Sequence, residues 1–417
     1  MFIKARTKNC AVDQRTSGQD DPRQNPGASE EPAGSAVSHS AAGIALVEVI
    51  LALALSVIVL GAAFDYFNDA ASMTQIVSVM SGVNENLNGA AALMAHDLYA
   101  AGTGIPSGGI PLPNGTGSAA VKRPGAGSAT FPVSTNNGVL SVITPGSGLS
   151  GTIDGQSSDE VTILKEDPVW TGQTWSSTNQ NWSLQSLAVA TVSGKGNITY
   201  SASTGYTVTA QFQASTCSAC SAISAGDLLL FTTASEGYAL GMVTTAPSFA
   251  TSGGITTATI TFGSDPLGLN QACAASGCTG SIDSLKQSGS YPAGITLTKI
   301  DMTTYYLANS YMTHSYVLMR QVGNNAASPV AYGISYMHFT YDAVNQASPP
   351  QLDASDPNPT CASTQCPNDI RTVHLTLSAT SSSTLRESGQ YYQNSIVSSI
   401  TLQNLDFSNQ FPMASGG

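Results

Sequence analysis

The chain has 417 residues, 41% of them hydrophobic and only 10% charged, with a formal net charge of −12; a mean hydropathy of +0.04 excludes a disordered chain and leaves enough apolar material for a real core. No Lys or Arg stands between Arg23 and Lys122, and phosphate binding needs clustered cations, so nucleic acid is not expected as a partner. Sparse charge with abundant Gly, Ser, Thr, Ala and Asn reads as an extracytoplasmic, β-rich protein, and the acidic balance as what keeps an exported chain soluble.

Residues 1–42 are polar and rich in Gly, Pro, Ser and Asp, with five Lys or Arg against five Asp or Glu, and hold nothing that could bury a core. From Ile44 to Phe64 the chain reads IALVEVILALALSVIVLGAAF, 21 residues whose sole charge is Glu48. As a helix this run spans roughly 30 Å, enough to cross a bilayer core. An ordinary signal peptide would have a shorter apolar core and no interior Glu. Beyond it Ile76, Met80, Val83, Leu87, Ala91, Met94 and Leu98 recur at three- and four-residue intervals, an amphipathic stripe that predicts packing on a soluble domain. Gly102, Gly104 and Pro106 end the helix.

After Gly102 short runs rich in Val, Ile, Thr and Tyr alternate with Gly, Ser, Asn and Pro clusters, which predicts strands and turns. The clearest strands are Glu160–Leu164, Tyr206–Phe212, Asp227–Phe231, Ile255–Phe262, Ile295–Ile300, Tyr316–Arg320, Ile334–Tyr341, Val373–Leu377 and Ile396–Leu402. The Gly, Ser and Pro-rich stretch from Pro106 to Gly155 is expected to be an extended loop region. Six of the seven cysteines form close pairs, Cys217 with Cys220, Cys273 with Cys278 and Cys361 with Cys366, while Cys10 lies upstream of the helix. Local disulfides are the favoured reading in an oxidising compartment; free thiols and half a zinc site at Cys217 and Cys220 are the alternatives. His39, His96, His314, His338 and His374 show no metal spacing. Asp353, Asp356 and Asn358 read as a polar turn rather than a calcium loop. No cofactor, metal or enzymatic activity is expected, because no residue set converges on a reaction.

The informative constellation is Gly43-Ile-Ala-Leu-Val-Glu48 at the head of the apolar run. A carboxylate near the centre of a membrane is unfavourable by about 2.5 kcal/mol or more, so it requires a partner. If the chain were cut after Gly43, the new α-amino group of Ile44 would lie one helical turn from Glu48, on the same or a neighbouring subunit, and could neutralise it.

This arrangement resembles the processing site of the type IV pilin superfamily, and the mature chain looks most like the PilW kind of minor pilin, with the J-type pseudopilins of type II secretion next. Met94-Ala-His-Asp-Leu-Tyr-Ala-Ala-Gly102, Ser158-Asp-Glu-Val-Thr-Ile163, Ala225-Gly-Asp-Leu-Leu-Leu230, Tyr316-Val-Leu-Met-Arg320, Ile334-Ser-Tyr-Met-His-Phe-Thr-Tyr341 and Ser399-Ile-Thr-Leu-Gln-Asn404 carry the likeness in order. The resemblance implies that a prepilin peptidase cuts after Gly43 and methylates Ile44, and that Glu48 is the assembly carboxylate. It implies an α+β fold in which a long N-terminal helix packs on an antiparallel β-rich head. Residues 1–43 would be a leader, or an extension upstream of the true start; residues 44–102 the helix, with 44–64 transmembrane; and residues 103–417 the extracytoplasmic head, with one lobe or two. Other minor and major pilins, the inner membrane and the pilus assembly platform are the partners it implies, with the head first in the periplasm and later on a pilus, pseudopilus or cell surface. A type II secretion pseudopilin and a membrane-anchored surface adhesin are the alternative functions.

Overall fold

The computed structural model describes residues 42–404 except 115–118, 126, 128, 133–137, 154, 168–173, 177–180, 184–186, 190, 193–194, 197, 214–222, 253–254, 273–278, 310–315, 345–351, 361–365 and 387. The chain divides into two compact units, Met1–Asn68 and Asp69–Gly417. One element, the helix α1 (Ala42–Tyr99, 58 residues), contributes to both. Its Leu, Ala, Met and Glu content and the lack of internal Pro favour uninterrupted helix.

In the first unit α1 exposes its apolar residues from Leu46 to Leu60. It is the one helix among the described residues that is long and apolar enough to cross a membrane. Ser56 returns its hydroxyl to the Ala52 carbonyl at 2.7 Å, which satisfies this polar group inside the helix.

The second unit is α+β. Its main sheet holds fifteen antiparallel strands. In chain order they are β1 (Ile143–Gly146), β2 (Glu160–Glu166), β3 (Leu187–Val189), β4 (Ile198–Ser201), β5 (Gly205–Gln213), β6 (Leu228–Thr232), β7 (Tyr238–Met242) and β8 (Ser248–Ser252). There follow β9 (Ile255–Phe262), β10 (Thr296–Asn309), β11 (Tyr316–Val322), β12 (Ser328–Val344), β13 (Leu352–Asp356), β14 (Ile370–Thr384) and β15 (Tyr391–Thr401). The principal order is β8-β9-β5-β3-β10-β11-β12-β14-β15, with β4 on β5, β6 between β10 and β7, β2 between β10 and β1, and β13 on β12.

The 14-residue β10 is the hub. Its first residues, Thr296–Ile300, pair with β6, and Thr303–Asn309 pair with β11. Ile300–Tyr305 pair with β2. Its apolar side chains therefore serve three cores: Leu297 joins Tyr206, Phe231 and Phe262; Ile300 and Met302 join Leu164, Leu230 and Leu240; Leu307 joins the core beneath α1. The continuous apolar run of β6 has the same cause. Leu229 and Phe231 enter one core while Leu228 and Leu230 enter another, so the strand is covered on both faces and shows no polar alternation.

On the third core, α1 lays down Val83, Leu87, Ala90, Met94 and Leu98 against Val161, Ile163, Leu318, Met337, Phe339, Leu375 and Leu377. Of the stripe predicted from spacing, Val83, Leu87, Met94 and Leu98 dock the helix while Ile76 and Met80 stay half-buried outside this core, and each large side chain that docks is worth roughly 1.5–3 kcal/mol on burial. The helix ends by handing its backbone to β2. Gly102 N donates to Leu164 O at 2.9 Å, and Glu166 N donates to Thr103 O at 2.8 Å. Gly104 turns the chain at φ +70°, where a Cβ would stand 2.5 Å from Glu166 Oε2.

All nine strands read from the sequence are present, several of them longer. The expectation of an extended loop over Pro106–Gly155 needs correction. Ile110–Pro111 pairs with Val139–Leu140, Thr152–Ile153 pairs with Gln156–Ser157, and β1 is a fully buried sheet strand. Pro145 and Gly146 made β1 read as a turn; Pro is tolerated because β1 is an edge strand bonded only to β2.

Candidate functional site

The sequence places the functional residues at the head of α1. Ile44 and Glu48 stand four residues apart in that helix, a spacing that puts them on one face a turn apart. Glu48 is exposed among Leu46, Val47, Val49 and Ile50, which are also exposed. No other acidic or basic residue occurs between Ile44 and Phe64. Gly43 and Ile44 belong to the first turns of α1; their side-chain surroundings fall outside the described residues. The geometry places an exposed acid on an apolar helix, and an amine brought to that face could neutralise it.

The second constellation was not anticipated. Asp97, in the last turn of α1, is 2% exposed. A carboxylate there opposes the helix dipole, yet three strands supply donors to it. Lys165 of β2 reaches Oδ1 at 2.6 Å, while Tyr305 of β10 donates its hydroxyl to Oδ2 at 2.7 Å and Arg320 of β11 its Nε at 2.8 Å. The strand register makes this possible, since Tyr305 stands opposite Arg320 and Asp301 opposite Lys165. Burial alone pushes the Asp97 carboxyl up; the hydrogen bonds from Arg320, Lys165 and Tyr305 outweigh it and hold the group at about 2. The Tyr305 hydroxyl is pushed up by burial and by the Asp97 charge. Near the same helix end, Asn404 donates its amide to Ala101 O at 3.0 Å and to Thr103 Oγ1 at 2.9 Å.

A further buried charge sits under β1. Arg123 places Nε 2.8 Å from Glu160 Oε1, and its other nitrogens donate to Pro145 O at 2.9 Å, Thr144 O at 3.1 Å and Thr162 Oγ1 at 3.0 Å. This guanidinium ties the loop ahead of β1 to both β1 and β2. The Glu160 carboxylate balances the charge, and the terminal nitrogens place their hydrogens on three acceptors, which is what keeps a cation tolerable in the interior.

Of the histidines, His338 lies 2.7 Å from Asp159 and His374 lies 2.8 Å from Asp342, with Ser399 Oγ 2.7 Å from the other ring nitrogen of His374. The Ser, His and Asp here are neighbours across β15, β14 and β12, with Ser399 directly opposite His374. They bind three strands together on the sheet face opposite Leu375 and Leu377. His96 is exposed at the helix end; His39 and His314 lie outside the described residues.

Cys366 is disulfide-bonded. Cys217, Cys220, Cys273, Cys278, Cys361 and Cys10 lie outside the described residues. Asn358 N donates to Asp356 Oδ1 at 2.8 Å, an Asx turn at the end of β13. No group of three or more His, Cys, Asp or Glu suited to a metal occurs among the described residues.

Fold and site together define an α+β protein with one helix capable of spanning a membrane. Comparison with protein-family models, curated proteins and solved structures finds no match to this chain.

Proposed function

We propose that this chain is a structural subunit of the type IV pilin kind, a PilW-like minor pilin that acts by assembly and has no catalysis of its own. One observation carries the reading. A single helix exposes a bilayer-length apolar surface with a lone acid at its head, and the same helix is built into the core of a β-rich domain at its other end. Exposed apolar surface on this scale is stable only under cover. Lipid of the bacterial inner membrane provides it for the precursor, with the head in the periplasm, and helices of other minor and major pilins provide it after assembly on the pilus platform. Prepilin peptidase cleavage after Gly43 frees and methylates the Ile44 amine, and that amine neutralises a Glu48 carboxylate.

The test is the mature N-terminus, determined by mass spectrometry on membrane and sheared-surface fractions of the native host. N-methylated Ile44 is the expected result for a pilus and a type II secretion pseudopilus alike, and the gene neighbours separate the two. An N-terminus upstream of Gly43, or a cut inside the apolar run, overturns the pilin reading in favour of a membrane-anchored or secreted binding protein.

A further inference from the structure

α1 changes character within one turn at the end of its apolar run. Phe64, Tyr66 and Phe67 are 71%, 73% and 68% exposed, and the Tyr66 and Phe67 rings meet edge-on with centroids 6.5 Å apart. Asp65, Asn68 and Asp69 are interleaved with them, and the residues from Leu46 to Leu60 carry no aromatic ring. At 3.6 residues per turn, Tyr66 points about 200° and Phe67 about 300° around the axis from Phe64. A single partner helix covers one face and would leave part of this set uncovered. A lipid–water interface surrounds a helix on every side, and aromatic rings favour that level because an apolar body and a polar edge or hydroxyl are both satisfied there.

We propose that Phe64, Tyr66 and Phe67 form an interfacial anchor that seats at the lipid headgroup level and fixes the depth of α1 in the bilayer. The inference rests on the membrane-anchor reading. The rise from Ile44 to Phe64 is roughly 30 Å, one hydrocarbon thickness. With the aromatic rings at one boundary, Glu48 lies roughly 24 Å below Phe64, about one helical turn short of the opposite boundary and within side-chain reach of it rather than at mid-bilayer. Its carboxylate then meets headgroups and water in the precursor, which removes most of the desolvation that a mid-membrane acid would suffer. Glu48 is held ready at the membrane face from which the N-terminus projects.

The experiment reconstitutes the full chain in phosphatidylcholine vesicles whose acyl chains are brominated either near the headgroup or near mid-chain, and reads tryptophan quenching. Phe67→Trp is the reporter, Leu55→Trp is the mid-span control, and the unsubstituted chain provides the background from the native tryptophans. The proposal expects Phe67→Trp to lose more emission to the shallow bromines and Leu55→Trp to lose more to the deep ones. Deep quenching of Leu55→Trp together with no quenching, or deeper quenching, of Phe67→Trp overturns the anchor and leaves the span intact. Failure of either bromine to quench Leu55→Trp overturns the membrane reading itself.

Discussion

Asp97 links α1 to two strands through charge and to a third through the Tyr305 hydroxyl. Asp97→Ala would leave Lys165 and Arg320 without the acid they face and is expected to lower stability by about 3–5 kcal/mol, measured as thermal or denaturant unfolding of the detergent-solubilised chain. The same group predicts a pH dependence. Its carboxyl is held at about 2 against an ordinary 3.8, a depressed value, so its stabilisation is complete above the unfolded value and fades as pH falls through the folded one. By linkage the contribution is about 2 kcal/mol at neutral pH. The difference in melting temperature between the wild type and Asp97→Asn should narrow as pH drops from about 5 to about 2; a gap unchanged over that range would show that Asp97 acts by packing alone. Gly146 makes the corresponding prediction for Arg123. A Cβ there would stand 2.6 Å from Glu160 O and 2.8 Å from Arg123 Nη1, so Gly146→Ala should cost about 1–3 kcal/mol by overpacking, read from the same melts.

At the scale of elements, one helix meets two environments, and substitution should separate them. Leu87 is 2% exposed in the core against the sheet, whereas Leu53 is 61% exposed. Leu87→Ala is expected to destabilise the head by about 2–5 kcal/mol, while Leu53→Ala leaves head unfolding within about 0.5 kcal/mol of wild type. Equal effects would mean that the apolar half is also packed into the folded head. The stripe from Val83 to Leu98 was legible because a helix docked by one face must repeat its apolar residues at its own period. The strands were legible where one face is solvated, as in β14, whose Leu375 and Leu377 alternate with His374 and Thr376. β1 was not, because Pro and Gly in a short edge strand carry the composition of a turn.

For the whole molecule, a helix whose bilayer-length apolar half is exposed and carries a single acid, Glu48, is what the proposed assembly subunit requires. Glu48→Ala should leave membrane insertion and head melting at wild-type values, since Glu48 is exposed, yet abolish incorporation into sheared filaments. Immunoblots of membrane and filament fractions test this; normal incorporation of Glu48→Ala would remove the acid from the assembly mechanism. In the same fractions, loss of membrane insertion would mean the substitution acts on the anchor instead.

By itself the sequence determined the long helix, its division into bilayer-length and amphipathic halves, the antiparallel β-rich head and the single acid at Glu48. Each of these is a periodicity or composition written along neighbouring residues. Only the tertiary structure decided that Asp97 is a buried latch, that Arg123 clasps Glu160, and that Ser399, His374 and Asp342 line up across three strands. Their partners stand 68 to 223 residues away for Asp97, 39 for the Thr162 bond of Arg123 and 25 to 32 for His374. Strand register, which no local pattern specifies across such distances, brings them within hydrogen-bond reach.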